Sequence, residues 1–281
     1  MTTSTLFEIE IEREFEAPRT LVFKNWIEAK HLGAWFAPSG FDVIHCAVDA
    51  RPGGSWCVAY RSSSGVRYTE RGEFVEIVFP ERLRLTLVNE DAQGEVTVRT
   101  EVQVRFEERN GRTTMRFVQT GFTAAQIRDG MQQGWHSCFD KLDGQITADR
   151  DLRILFENWF RASERKDLNA SMEPIADDVL SYEHECPLEY RGIDALRATC
   201  SAGFDQMPEG FRWDVPDLQV VVRGDLAITW GLNRMRGPDV ELWSRGTRVF
   251  QKIDGRWRMI HQHVSFPYDP ESGAARLDLR P

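Results

Sequence analysis

The chain has 281 residues, 41% of them hydrophobic and 28% charged, with a formal net charge of −9. That balance is typical of a globular protein, and at about 100–200 residues per domain the length suits two domains. The acidic excess without a basic cluster argues against a nucleic-acid partner, and no run approaches the roughly 18 apolar residues that span a membrane.

The N-terminal stretch 1–15 has no basic start followed by an apolar run, so no signal peptide is expected and a cytoplasmic location follows. The five cysteines (Cys46, Cys57, Cys138, Cys186, Cys200) are odd in number and form no CxxC pair, and they read as reduced core thiols.

Phe7, Ile9 and Ile11 alternate with Glu8, Glu10 and Glu12, which is the period of a half-buried strand. Over 17–36 the period changes: Pro18 suits a first helical turn, and Leu21, Val22, Trp26 and Ile27 form an apolar face. Strands are predicted at 41–49, 55–61, 66–78, 82–89, 95–107 and 112–120, separated by turn signals that include Gly53-Gly54 and Asn110-Gly111. Then Ile127, Met131, Trp135, Cys138, Leu142 and Ile146 recur at three- and four-residue steps and predict a long amphipathic helix. His31, His45 and His136 lack acidic or thiol neighbours at metal spacing and read as structural.

Helical pattern continues through 140–165, so the domain boundary is set at the charged Asp149-Arg150-Asp151 cluster, giving domains 1–149 and 150–281. Two helices are predicted over 152–179, the second capped by Asp167. A strand at 179–185 and a helix at 192–206 follow. Strands come next at 212–222, 225–236, 241–252 and 256–266, with a hairpin signal at Asp254-Gly255.

The order of elements describes an α+β protein of two domains, each a curved antiparallel sheet folded over helices to leave a cavity. The first half resembles the SRPBCC (START-like) superfamily, in the branch named for the activator of the heat-shock-protein-90 ATPase. The segments that carry the resemblance are 15-FEAPRTLVFKNW-26, 31-HLGAWFAP-38, 49-DARPGGSW-56, 72-GEFVEIVFPERLRLT-86, 111-GRTTMRFVQTGF-122 and 134-GWHSCFDKL-142. It implies a helix-grip fold with a ligand-holding cavity, for which Trp35, Trp56 and Trp135 are candidate lining residues, although each alone reads first as core.

The second half is similar to the nuclear-transport-factor-2-like superfamily, which includes SnoaL-like cyclases, ketosteroid isomerases and the association domain of calcium/calmodulin-dependent kinases. Its specific part is 244-SRGTRVFQKIDGRWRMIHQHVS-265. The implied fold is a cone-shaped α+β barrel. Regular alternation along the last strand puts Trp257, Met259, His261, His263 and Ser265 on one face. The resemblance implies that His263 and Ser265 border the pocket with Arg248 as neighbour. Trp159, Tyr182 and Trp230 are further candidate lining residues.

For His261, His263 and Ser265 three readings stand: a structural hydrogen-bonding element, a ligand pocket, or catalysis with His263 as general base. His261-x-His263 supplies two metal ligands and no third, so neither metal nor cofactor is expected. The expected role is binding of a small hydrophobic or amphipathic molecule in one or both cavities. The alternatives are a metal-independent acid–base enzyme of cyclase, isomerase or hydrolase type, acting on a small polyketide- or steroid-like substrate, and a chaperone-associated or stress-related interaction protein. By analogy with the second superfamily, a homodimer through 212–266 is expected.

Overall fold

The computed structural model describes residues 7–281; residues 1–6, part of the N-terminal stretch read above, lie outside the described residues. The backbone divides into two compact units, Met1–Ala148 and Asp149–Pro281.

In the first unit β1 (Phe7–Phe15) buries Ile9, Ile11 and Phe15 and turns its glutamates to solvent. The helix expected over 17–36 is two helices, α1 (Arg19–Ile27) and α2 (Ala29–Trp35), because Glu28 between them is extended at φ −108° and ψ 118°. Trp26 and Trp35, one from each helix, meet edge to face at 4.9 Å. Six strands follow, β2 (Phe41–Val48), β3 (Ser55–Ser62), β4 (Arg67–Val78), β5 (Arg82–Glu90), β6 (Val96–Arg109) and β7 (Arg112–Phe122). The seven strands form one antiparallel sheet in the order β1-β7-β6-β5-β4-β3-β2. Positive φ at Asn110 (52°) and Gly111 (76°) fits the mirror-image turn whose twist matches that of the flanking strands.

The helix α3 (Ala125–Glu164) then lays Trp135, Cys138, Phe139, Leu142 and Ile146 into the core of this unit, while Ile127 near its start is exposed. Aromatic contacts tie this helix to the sheet and to the end of α2: Trp135 lies 4.5 Å from Phe117 of β7 and 5.4 Å from Phe36.

The helical pattern read over 140–165 belongs to the same helix, α3. In the second unit α4 (Leu168–Met172) is capped by Asp167, whose Oδ1 accepts from Ala170 N at 3.1 Å. β8 (Ile175–Tyr182), β9 (Tyr190–Arg191) and α5 (Ile193–Gln206) precede the meander. The strand expected at 212–222 is split into β10 (Arg212–Asp214) and β11 (Gln219–Arg223), and between them lies Pro216, which has no N–H for a sheet ladder. β12 (Leu226–Arg236), β13 (Glu241–Ile253) and β14 (Arg256–Ser265) complete the sheet, and a short hairpin of β15 (Tyr268–Asp269) and β16 (Ala274–Ala275) follows.

The sheet order is β10-β12-β13-β14-β8-β9, with β11 also on β12 and β14 parallel to β8. The sheet is therefore open and does not close on itself. Its edges are the short β10 and β11 on one side and the two-residue β9 on the other, and these do not pair with each other. Four of the five cysteines are buried or half-buried as expected; Cys186 is exposed.

One irregularity decides which side chains face the interior. Gly246, Arg248 and Phe250 of β13 stand opposite Val264, Gln262 and Met259 of β14, and Ile260 is left without a partner in that ladder. A bulge of one extra residue interrupts the period-two alternation, so residues beyond it face the side opposite to the one simple counting gives. Met259 and Val264 are consequently both buried, five positions apart. His263 is exposed and Ser265 only half-buried, and the register pairs His263 with Thr247 and Tyr182.

Candidate functional site

In the first unit the strands set a small polar group inside an aromatic core. Val58 of β3 stands opposite Glu70 of β4, and Glu70 opposite Asn89 of β5. Tyr60 is two residues along from Val58, so its phenol reaches Glu70 diagonally, as same-face neighbours on paired strands do. Its hydroxyl donates to Glu70 Oε1 at 2.7 Å. Asn89 stands opposite Glu70 on the neighbouring strand, and its Oδ1 is buried without a partner. Beside them Trp135 Nε1 donates to Gln119 Oε1 at 2.7 Å, and Gln119 Nε2 donates to Thr100 Oγ1 at 2.8 Å.

A cavity of about 170 Å³ lies at this cluster. Its walls are Phe36, Pro38, Tyr60, Glu70, Asn89 and a strip of α3 that includes Met131, Trp135 and Cys138. Burial raises the Glu70 carboxyl to about 7, against the opposing pull of hydrogen bonds from Tyr60 and Asn89. Burial, followed by the Glu70 charge, pushes the Tyr60 phenol and the Cys138 thiol up from their ordinary values. The cavity thus holds a carboxyl that changes charge near neutral pH beside a phenol and a thiol that stay protonated.

The second unit carries a buried guanidinium. Arg248 is fully buried; its Nε donates to Gln262 Oε1 at 3.0 Å and its Nη2 to Asn233 Oδ1 at 2.9 Å. Gln262 Nε2 donates onward to Glu183 Oε1 at 2.6 Å, and the Ser181 hydroxyl donates to the same oxygen. The guanidinium carbon lies 5.5 Å from the Phe156 ring centre and 5.6 Å from that of Trp159. Burial lowers Arg248 to about 10, partly offset by the Glu183 charge. Arg248 Nη1 and His184 Nε2 are both buried without hydrogen-bond partners. Burial first, then the Arg248 charge, lowers His184 to about 4.

The residues singled out from sequence fall into separate places. Trp35 is wholly core: it is fully buried, its Nε1 donates to Asn25 O at 3.0 Å, and it does not line the cavity at Glu70. Trp56 packs on Phe36 at 5.3 Å, donates to Thr86 O at 3.2 Å and borders a different cleft of about 1060 Å³, whose other walls include Arg71, Glu73, Arg99 and Glu101. Trp135 does line the cavity at Glu70. In the second unit Trp159 and Arg248 come together. His263, Ser265 and Tyr182 do not border Arg248: the bulge at Ile260 puts them on the other face, with the Tyr182 ring 5.1 Å from that of His261 and 5.9 Å from that of His263. Trp230 is also partly exposed. Among the described residues no three His, Cys, Asp or Glu side chains converge as metal ligands, and no helix is long and apolar enough to cross a membrane.

The sequence did not single out Glu70, Tyr60, Asn89, Gln262 or Asn233, and it could not place Glu183, which the structure joins to Gln262 and not to His263. Glu70 sits in 67-RYTERGE-73, where charged and polar residues occupy both strand faces, so no alternation marks it as inward. The β3-β4-β5 register was the missing signal.

Residues 16–146 match the family model described as Activator of Hsp90 ATPase homolog 1-like protein, and residues 152–269 match that of the SnoaL-like domain. Among curated proteins none matches. Among solved structures, an NTF2-like protein of unknown function from Pseudomonas putida KT2440 is 29% identical, covering 48% of this chain and 97% of its own, with a TM-score of 0.46. The AHSA1 protein from Silicibacter pomeroyi is 20% identical over 51% of this chain and 99% of its own, with a TM-score of 0.47. A protein from Chromobacterium violaceum is 24% identical over 49% of this chain and 94% of its own, with a TM-score of 0.45. Both domain types are typically folds that bind or process small molecules. The two halves of the chain are thus similar to an Activator of Hsp90 ATPase homolog 1-like protein and to a SnoaL-like domain, respectively.

Proposed function

We propose that the protein binds a small amphipathic molecule whose polar end sits at Glu70 in the first domain. One observation carries this reading: a cavity of about 170 Å³, walled by Phe36, Met131 and Trp135, that holds the Tyr60–Glu70–Asn89 cluster with Asn89 Oδ1 unpartnered. Ligand pockets are mostly apolar with a few convergent polar groups, which is the character of these walls. Native mass spectrometry of protein purified from its own host, before and after solvent denaturation, tests it. The expected result is a released small molecule that is absent from the Trp135→Ala variant; a ligand retained undiminished by that variant would move the site elsewhere.

A second reading is a metal-independent acid–base enzyme at the same place. It is favoured by a carboxyl raised to about 7 that accepts a hydrogen bond from a phenol, since a catalytic acid or base works best with a pKa near the working pH. Turnover of a small enolisable or ester substrate that falls at least a hundredfold in Glu70→Gln, with binding retained, would favour catalysis over simple binding.

The protein is also proposed to pair as a homodimer through the second sheet. Support comes from Leu226, Ile228 and Trp230, alternate residues of β12 that are all at least 37% exposed. Elution at the monomer mass in scattering-coupled chromatography would refute the pairing.

A further inference from the structure

The cavity at Glu70 has an unbalanced charge. Among the described residues its walls include one carboxyl and no Lys, Arg or His. Lys141, one turn beyond Cys138 on α3, is committed elsewhere: its Nζ donates to Ala37 O at 2.8 Å and Pro38 O at 3.0 Å. A carboxyl taken out of water has two ways to avoid a bare buried charge, which are to keep a proton or to gain a cation.

The other wall groups favour the second. Glu70 already accepts from Tyr60, and the facing Asn89 Oδ1 is a buried acceptor that lacks a donor. An incoming group that is positive and carries several N–H donors would satisfy both oxygens at once. Tyr60, Phe36 and Trp135 line the same space, and the faces of aromatic rings attract ammonium groups and pack well on short alkyl chains. At about 30 Å³ per water the cavity holds roughly six water-sized groups, so the occupant is small.

We infer that the first-domain cavity is a site for a small primary alkylammonium, its nitrogen between the Glu70 carboxylate and Asn89 Oδ1 and its alkyl chain against Trp135 and Phe36. This inference rests on the reading that the cavity binds a ligand and names the chemical class of that ligand.

The groups facing Glu70 are Tyr60 on β3, Asn89 on β5 and Cys138 on α3, with Tyr68 stacked on Tyr60 at 5.9 Å. Tyr60 and Cys138 stay protonated through neutral pH, and Asn89 does not titrate, so Glu70 is the wall group that changes charge there. An alkylammonium keeps its proton across that range, as lysine does. Binding should therefore strengthen as Glu70 ionises.

The test is a titration of the 281-residue protein with n-butylamine and, separately, with butan-1-ol, followed on the Trp135 indole N–H signal by proton–nitrogen correlation NMR. The expected result is at least tenfold tighter binding of the amine at pH 8 and an affinity for it that falls about tenfold by pH 6, the change in ionised Glu70 when its pKa is about 7. In Glu70→Gln the preference for the amine should vanish. Equal binding of amine and alcohol by the unmutated protein would overturn the ammonium assignment and leave the cavity reading standing. No shift with either compound up to tens of millimolar would overturn both. Because the comparison of the two ligands needs no variant, a Glu70→Gln protein that fails to fold leaves the test intact.

Discussion

Arg248 faces Gln262 across the β13-β14 ladder: its Nε donates to Gln262 Oε1 at 3.0 Å, while His263, the next residue along, is on the opposite and exposed face. The two neighbours therefore differ in what their loss should cost. Gln262→Ala strands the Arg248 Nε donor and breaks the link to Glu183, at a cost of about 1–3 kcal/mol. His263→Ala should stay within about 0.5 kcal/mol of the parent, as surface substitutions do. Urea unfolding of the two variants checks the pair, and a larger loss in His263→Ala would mean that the bulge does not set this face.

Arg248 is held by Gln262, Asn233 and two aromatic faces in a fully buried position. Arg248→Ala leaves Asn233 and Gln262 without their donors and Glu183 without its nearby positive charge, at an expected cost of about 3–5 kcal/mol. Arg248→Lys should recover little, because one ammonium does not reproduce the planar fork that reaches both amides. Thermal unfolding of the two variants, followed by far-ultraviolet circular dichroism, distinguishes this from a surface-type effect.

Burial raises the Glu70 carboxyl from its ordinary 4.5 to about 7 in the folded protein. Below about 4.5 the carboxyl is protonated in both states and costs nothing. Between 4.5 and 7 the unfolded chain ionises first, so stability falls as pH rises through that window and the full penalty is present above 7. At 1.36 kcal/mol per unit the shift corresponds to about 3 kcal/mol. Glu70→Gln keeps an acceptor for Tyr60 but removes the charge, so its stability relative to the parent should rise between pH 5 and pH 8. Denaturant titrations at those two pH values measure it, and parallel curves would exclude a buried ionising Glu70.

His184 works in the opposite sense. Its folded pKa of about 4 lies below the ordinary 6.5, so it is neutral in both states above 6.5, and the unfolded chain takes up its proton first as pH falls. Its contribution to stability is therefore present above 6.5 and lost on acidification toward 4. His184→Phe keeps the ring against Phe266 and should flatten the loss between pH 6.5 and pH 4.5. An unchanged acid limb in that variant would place the titrating group elsewhere.

Gly72 is required by a close approach. A Cβ there would lie 1.8 Å from Thr86 O and 2.8 Å from Trp56 Nε1, where the indole donates to that same carbonyl. Gly72→Ala must move strand backbone and should cost at least about 3 kcal/mol, at the upper end for overpacking. Loss of the Trp56 indole hydrogen bond, seen as a shift of its N–H resonance, is the local signature to look for.

Much of the fold was legible in the chain. The glutamates of β1, the Asn110-Gly111 and Asp254-Gly255 turns and the three- and four-residue apolar steps of α3 from Trp135 to Ile146 each depend on neighbours close in sequence and form as read, while Ile127 at the start of that pattern is exposed. The reading ran out where a strand's face depends on its partner. Counting by two along 256-RWRMIHQHVS-265 aligns His263 with Trp257 and Met259, and the unpaired Ile260 undoes that alignment. Similarly, 212–222 reads as one strand until the register shows Arg212–Asp214 and Gln219–Arg223 pairing separately with β12.

By itself the sequence determined the α+β class, the two domain types and Arg248 and Trp135 as inward-facing candidates, because periodicity, turn chemistry and family pattern are local or linear properties. The tertiary structure alone decided that Gln262 meets Arg248 and that Glu70 meets Tyr60 and Asn89. Those contacts depend on strand register, and one extra residue in one strand reverses which side chains reach the interior while leaving the local sequence pattern unchanged.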